Sequence, residues 1–299
     1  MQRPTETKLF VWGAIVITVG FFLIWYILPI IWTVVLSLFQ WSPGAQNNRF
    51  IGLDNYVEAL FVDHVFWQAL RNSVYFTFGN VIIGTTLAVL IANAMRSLPY
   101  FKTFIRLAYF LPAVVTVVAA AVVWKSMFEP RFGILNNGLY WVTEILGLPG
   151  FPEIPWTTSA EWSMPTIILF GFWKFLGIRV IILLAAMEAV PKMYYEAAEI
   201  DGASRWQQFW YITLPNIQPA LWFVIITGVI NSLQIFEPMY VVTQGGPARS
   251  TTSLVMVVLE QAFRLARFGY GAAISAILFA IIAVLSLLLF FYSRRRQAQ

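Results

Sequence analysis

Six long apolar runs, separated by charged or turn-forming residues, divide the chain. They are Leu9 to Phe39, the stretch between Arg71 and Arg96, Leu107 to about Met127, Pro165 to about Val190, Pro219 to near Tyr240, and Phe268 to Ser293. Each is of the order of the roughly 20 residues that carry a helix across about 30 Å of hydrocarbon. The first exceeds that need and can absorb its surplus by tilting. Transmembrane strands would alternate polar and apolar positions in segments of about ten, and no such pattern occurs. The pattern therefore predicts an all-α, polytopic membrane protein with six transmembrane helices in a single domain, residues 1–299. Three longer polar stretches, at about 40–71, 128–164 and 241–267, connect these runs on one side. The first contains Pro43, Gly44, Asn47, Asn48 and His64, read as a solvated loop. Pro112, early in the third run, predicts a kink or a loosened helix end.

One polar segment differs from the rest. Between Pro191 and Pro215 the chain reads PKMYYEAAEIDGASRWQQFWYITLP. Pro191 suits a first helical turn, after which Met193, Ala197 and Ile200 share one face and Glu196 and Glu199 another. Asp201-Gly202 stops that helix, and Ser204 with Gln207 three residues later forms a capping box that starts a second. In the second helix Trp206, Phe209, Trp210 and Thr213 recur at helical spacing, an apolar stripe suited to a membrane surface or a protein groove. The expectation is two short helices meeting at a tight elbow.

Composition narrows the chemistry. The 299 residues are 60% hydrophobic and 11% charged, with no cysteine and one histidine. Disulfides, thiol chemistry and a multi-histidine metal site are thereby excluded, and a membrane-bound enzyme is left without a cluster to work with. The net charge of +5 does not mark a nucleic-acid surface, because the basic residues flank the apolar runs. Ten Lys and Arg lie in the two termini, from Arg3 to the Arg294-Arg295-Arg296 run, and in the 96–106 and 191–215 segments, against six in the three longer loops. The positive-inside rule then places both termini and the elbow in the cytoplasm. No G-x-x-x-x-G-K-[ST] phosphate loop occurs, so ATP-driven work would need a partner.

The order Glu196-Ala197-Ala198, Asp201-Gly202-Ala203 and Ile212 to Pro215 resembles the coupling (EAA) loop of ABC importer permeases. Gly52-Leu53-Asp54-Asn55-Tyr56, Phe110-Leu111-Pro112 and Thr243-Gln244-Gly245-Gly246-Pro247 resemble the carbohydrate-type, maltose- and glycerol-phosphate-like members, and the likeness runs from about residue 10 to 295. The resemblance implies the type I importer permease (MetI-like) fold in a bacterial or archaeal inner membrane. It also implies a second permease as heterodimer partner, two ATPase subunits that bind ATP and Mg, and an extracytoplasmic solute-binding protein. This chain would itself be non-catalytic, with no cofactor and no metal, and would work by alternating access. Glu196, Ala197, Ala198, Asp201, Gly202 and Ala203 would be the residues that couple it to the ATPase.

Polar groups inside membrane spans are costly and are functional candidates by default. Trp173, Lys174 and Arg179 on the fourth run qualify, as do Asn231, Ser232, Gln234 and Glu237 on the fifth, and the resemblance places sugar contacts on these two spans. A ring against a sugar face, with amides, hydroxyls and charges on its hydroxyls, is the chemistry required. Two alternatives stay open: Lys174 or Arg179 pairs with Glu188 or Glu237 to fix helix packing, or Lys174 faces the partner permease. The solute class also stays open between a sugar and a polyol or glycerol phosphate, for which buried cations would be apt. A self-sufficient secondary transporter would show inverted repeats, and the chain has no internal repeat.

Overall fold

The computed structural model describes residues 4–44, 48–96, 102–150 and 152–297. Arg3, Asn47 and part of the basic 96–106 segment lie outside the described residues. Among the described residues, four unbroken helices are long and apolar enough to cross a membrane: Phe10–Leu36 (span 1), His64–Arg96 (span 2), Ala160–Glu188 (span 4) and Phe268–Arg295 (span 6). Two bent pairs bring the number to six. Phe104–Val114 and Val117–Met127 meet at 96° and form span 3, and Arg205–Asn216 meets Gln218–Leu233, span 5, at 68°. Among the described residues, the six apolar runs are thus matched by four unbroken helices and two bent pairs.

The breaks have local causes. Pro112 has no N–H to donate back one turn, and its helix ends two residues later at Val114; the next starts from Thr116, whose Oγ1 accepts from the Ala119 N–H. Span 5 departs from expectation. Apolarity continues to Tyr240, yet the helix stops at Leu233 with Gln234 as its cap. Pro238 cannot donate to the Gln234 carbonyl, and helical geometry returns at Glu237, running on into the π-helical stretch Met239–Thr243. Span 2 begins earlier than its apolar run suggests: His64, expected in a loop, opens the helix. The three polar connections also carry short elements, including a two-residue antiparallel ribbon pairing Phe39 with Phe50, and a helix at Ile134–Ile145.

The chain divides into two compact units. In the smaller, comprising the chain up to Phe66 and Val257–Phe279, the connection after span 1 is fastened to the start of span 6. Arg267 Nη2 bonds both carboxylate oxygens of Glu58 at 2.6 and 2.8 Å, Tyr270 donates to Asp63 at 2.6 Å, and Asn55 Nδ2 donates to the Ser37 and Phe39 carbonyls. The most apolar window of span 1 has none of its residues buried within the chain.

The larger unit holds two cores. The core next to the elbow joins Ala88, Val89 and Ala92 of span 2 with Val180, Leu183 and Leu184 of span 4 and with Phe209 and Val224. The far core joins Phe76, Ala120, Ala121, Ile167 and Phe170 with Met239 and Val242 beyond span 5. Span 4 runs through both. Its close approach to span 3 depends on Gly177, where an added Cβ would strike the Tyr109 carbonyl. Gly177→Ala should therefore act as overpacking of a rigid contact and lower stability by about 1–3 kcal/mol. Thermal unfolding of the purified protein checks this: an unchanged midpoint would contradict the close approach.

Candidate functional site

Span 4 places three candidate side chains within two turns, and their surroundings differ. Trp173 is 37% exposed and lies beside the rings of Trp124 at 5.2 Å and Phe170 at 6.2 Å between centroids. Lys174, the next residue, is only 3% exposed. Its ammonium enters the break in span 3, donating to the carbonyls of Pro112 at 2.7 Å and Ala113 at 3.2 Å, and to that of Val115. Those carbonyls lie at a helix end, where intrahelical donors run out and the dipole is negative, so a cation fits twice over. Arg179 is 6% exposed and donates from Nη1 to the Asn80 carbonyl at 2.5 Å. Asn80 belongs to a π-helical stretch, Gly79–Ile83, inside span 2. Such a stretch leaves backbone carbonyls poorly satisfied, and a guanidinium can serve one while keeping donors to spare. Gly84 makes room for it: a Cβ there would meet the guanidinium.

The pairing with Glu188 or Glu237 does not occur. Glu188 is held by Arg106 at 2.6 Å, and among the described residues no carboxylate lies within ion-pair distance of Lys174 or Arg179. Both cations answer backbone oxygens instead.

A cavity of about 190 Å³ brings Arg179, Asn231 and Ser232 together with Asn80, Thr227 and Gly228. Trp173, Lys174, Gln234 and Glu237 lie outside its lining. Ser232 is buried, and its Oγ accepts from Asn80 Nδ2 at 2.9 Å, while Asn231, Gln234 and Glu237 are exposed along and just past the end of span 5. An exposed polar side chain within an apolar span needs water or another chain beside it, since lipid offers no partner. Asn80 was missed in the sequence, although the rule that selected Asn231 applies to it equally: it is an amide inside an otherwise apolar run. Its Oδ1 is buried without a hydrogen-bond partner.

The elbow forms as its sequence directs. Helix Lys192–Ile200 ends at Asp201; Gly202 takes φ +78°, the Ala203 N–H reaches back to the Ala198 carbonyl at 2.8 Å and the Gly202 N–H to that of Glu199 at 3.1 Å. This paired closure demands a left-handed residue, which is why glycine stands there. Ser204 and Gln207 complete a reciprocal capping box, with Ser204 N–H donating to Gln207 Oε1 at 2.7 Å. Tyr195 and Thr213 bond across the two helices at 3.0 Å, and Arg96 of span 2 lies over the Tyr195 ring at 4.3 Å. Pro191 caps the first helix rather than entering its first turn. Of the coupling candidates, Glu196, Ala197, Asp201 and Gly202 are exposed and Ala198 and Ala203 half-buried. Met193 is 66% and Ile200 86% exposed, so an apolar face points away from the chain.

Comparison with known proteins settles the family. The model of the binding-protein-dependent transport system inner membrane component matches residues 84–298. The chain belongs to that family. This transport permease is 37% identical to the lactose transport system permease protein LacF of Rhizobium radiobacter, over 90% of the chain and 89% of that protein. It is 31% identical to the sulfoquinovosyl glycerol transport system permease protein SmoG of Agrobacterium fabrum, over 85% of the chain and 80% of the relative. The fold matches a chain of a bacterial alginate ABC transporter, solved with an alginate pentasaccharide-bound periplasmic protein, at a TM-score of 0.84 and 24% identity, covering 98% and 96% of the two chains. The permease is thus a multi-pass inner-membrane protein of the ABC importer type.

The two polar residues at the end of span 5 should behave differently on truncation. Ser232→Ala leaves the Asn80 amide without its partner and should lower stability by about 1–3 kcal/mol. Asn231→Ala, at an exposed position, should leave the unfolding midpoint in place and change the KM of uptake. Paired melting and transport assays distinguish them, and equal effects on both readouts would contradict the assignment.

Proposed function

We propose that this permease is one of two membrane subunits of an ATP-driven, binding-protein-dependent sugar importer, paired with a second, related permease. The observation that carries the reading is the elbow at 191–215. It is closed at both helix ends by backbone and side-chain caps, tied to span 2 through Arg96 and Tyr195, and it presents an unpartnered apolar face beside exposed acids. A rigid part with an exposed apolar face suits insertion into a cleft on another protein. ATPase subunits, which bind ATP and Mg, supply that cleft, and this chain is itself non-catalytic. Glu196 faces basic groups of the ATPase, and Gly202 keeps the elbow's angle. Closure of the ATPase dimer moves the elbow as a rigid body, spans 4 and 5 follow, and the cavity lined by Arg179, Asn231 and Ser232 alternates between the two sides, with Trp173, Gln234 and Glu237 as further pathway candidates. The distribution of basic residues supports placing both termini and the elbow in the cytoplasm.

A sugar as solute is supported by the relatives, which carry lactose and a sulfoquinovosyl glycerol by name, and by the ring and amide groups of spans 4 and 5. Arg179, a buried guanidinium without a carboxylate, keeps a phosphorylated polyol within the same class of ligands.

ATPase activity of the full assembly in lipid, with its binding protein, should rise with one class among neutral sugars, polyols and glycerol phosphates. Failure of every solute to stimulate an intact assembly would overturn the sugar reading. Gly202→Asp should insert and assemble but lose solute-stimulated ATPase and uptake together. The space around Gly202 is open, so the defect is one of backbone conformation: φ +78° disfavours any side chain by roughly 1–2 kcal/mol. Normal uptake by that variant would remove the elbow from the coupling path.

A further inference from the structure

Span 3 is two helices that belong to two different cores. Ile105 and Tyr109 of the first half pack on the core beside the elbow, with Val180, Leu183 and Leu184. Ala120 and Ala121 of the second half pack in the far core, with Phe170, Met239 and Val242. The joint between them, Val115 and Thr116, makes the 96° turn without a helical bond across it. What occupies the joint is the ammonium of Lys174, bonded to the carbonyls of Pro112, Ala113 and Val115 and 3% exposed. An uncompensated charge in hydrocarbon is expensive, and a helix end cut off from water leaves carbonyls that need donors. Each problem answers the other, and the two groups are fixed only together.

The position of Lys174 along span 4 gives this bond a further consequence. Its neighbour Trp173 lies against Trp124, which belongs to the second half of span 3. One turn on, Gly177 lies against the Tyr109 carbonyl of the first half. At the elbow end, Arg106 of the first half bonds Glu188 at 2.6 Å, three residues before the elbow starts at Pro191. Span 4 therefore touches the second half of span 3 through Trp173, the joint through Lys174, and the first half through Gly177 and Glu188. Trp173 thus bears on one side of the joint and the elbow bears on the other.

We propose that Lys174 is a positioning residue whose ammonium latches the joint of span 3, so that displacement of the half beside Trp173 is transmitted to the half beside the elbow. The latch rests on the importer reading for its role in transport, but its effect on the joint does not. Alternating access requires packed elements with two discrete arrangements rather than a soft helix, and a bend fixed by three bonds to one cation is such an element. Lys174 does not line the cavity of Arg179 and Asn231; it acts through the bend.

The test uses the full assembly in lipid nanodiscs with its binding protein. This chain has no cysteine, so spin labels can be placed in it at will. Labels at the exposed positions Leu107 and Val122 span the joint, and a pair at Val118 and Val122 stays within one half. In Lys174→Met the distance distribution across the joint should broaden while the control pair keeps its width. The stimulation of ATPase by the loaded binding protein should fall about tenfold, within the range typical of coupling between sites. Lys174→Arg, which keeps charge and donors, should restore both. If Lys174→Met does not assemble, Lys174→Gln, with two donors and no charge, takes its place with an intermediate width expected. An unchanged distribution and stimulation ratio in the neutral variants, even with a lower melting temperature, would overturn the latch and leave Lys174 a packing group. Absence of stimulation in the unsubstituted assembly would count against the importer reading alone, because the distance measurement does not depend on it.

Discussion

A helix that bends or bulges within a membrane exposes backbone carbonyls where no water can reach them, and something must donate to each. In this permease that demand is met from span 4. Lys174 answers the end of the first half of span 3, and Arg179 answers the π-helical stretch of span 2. Two charges that would be prohibitive alone are thereby held by irregularities that would be prohibitive alone. The dependence is mutual: straightening span 3 would strand the ammonium, and removing the ammonium would strand the carbonyls. Span 4 becomes the element on which the irregular helices of the larger unit are hung, which also explains the small residues at its contacts. Gly177 lets the backbone of span 3 approach, and Gly84 on span 2 leaves room for the guanidinium.

At the other end of span 4 the demand is the same and the solution is different. The elbow has two helix ends within five residues, and its orphan groups are closed locally by the paired bonds around Gly202 and by the Ser204–Gln207 capping box. Because the caps are internal, the outward face is free of structural duties. Met193 and Ile200 point away from the chain, whereas the inward residues Tyr195 and Gln208 bond Thr213 and the Ala203 carbonyl. That independence is what the proposed coupling role would require of the elbow.

This difference explains what could be read in the sequence. The elbow was legible almost residue by residue because its determinants are a glycine, a serine and a glutamine at fixed local spacing; Pro191 shifted by one position, and the second helix runs through a π-helical stretch at Phe209–Thr213 to Asn216 rather than ending at Leu214-Pro215. The spans were legible from apolar length, since crossing the hydrocarbon leaves little choice. The end of span 5 was not, because Ile235 and Phe236 continue the apolar run through a break set by Pro238 and by the loss of helical bonding after Leu233. Nor were the partners of the two cations. A search for charges to pair with them points to Glu188 and Glu237, but a backbone carbonyl has no letter in the sequence, and a helix irregularity is not announced by composition. Asn80 shows the opposite failure, a legible signal left unused: an amide alone in an apolar run is as conspicuous as Asn231.

The same contrast divides the polar residues of spans 4 and 5 into those that hold the structure and those that face outward from it. Ser232 is consumed by Asn80, and Lys174 by span 3. Asn231, Gln234 and Glu237 have open sides. Arg179 belongs to both groups: one of its donors is fixed on the Asn80 carbonyl, and its side chain lines the cavity shared with Asn231 and Thr227. A guanidinium anchored through one N–H is oriented without being exhausted, since its planar fork fixes the direction of the remaining donors. That is a better starting point for selectivity than a free lysine, whose flexible stem would spend entropy on each ligand it met. In the proposed importer the structural use of Arg179 would prepare a solute site, and the irregularity in span 2 is what anchors the guanidinium.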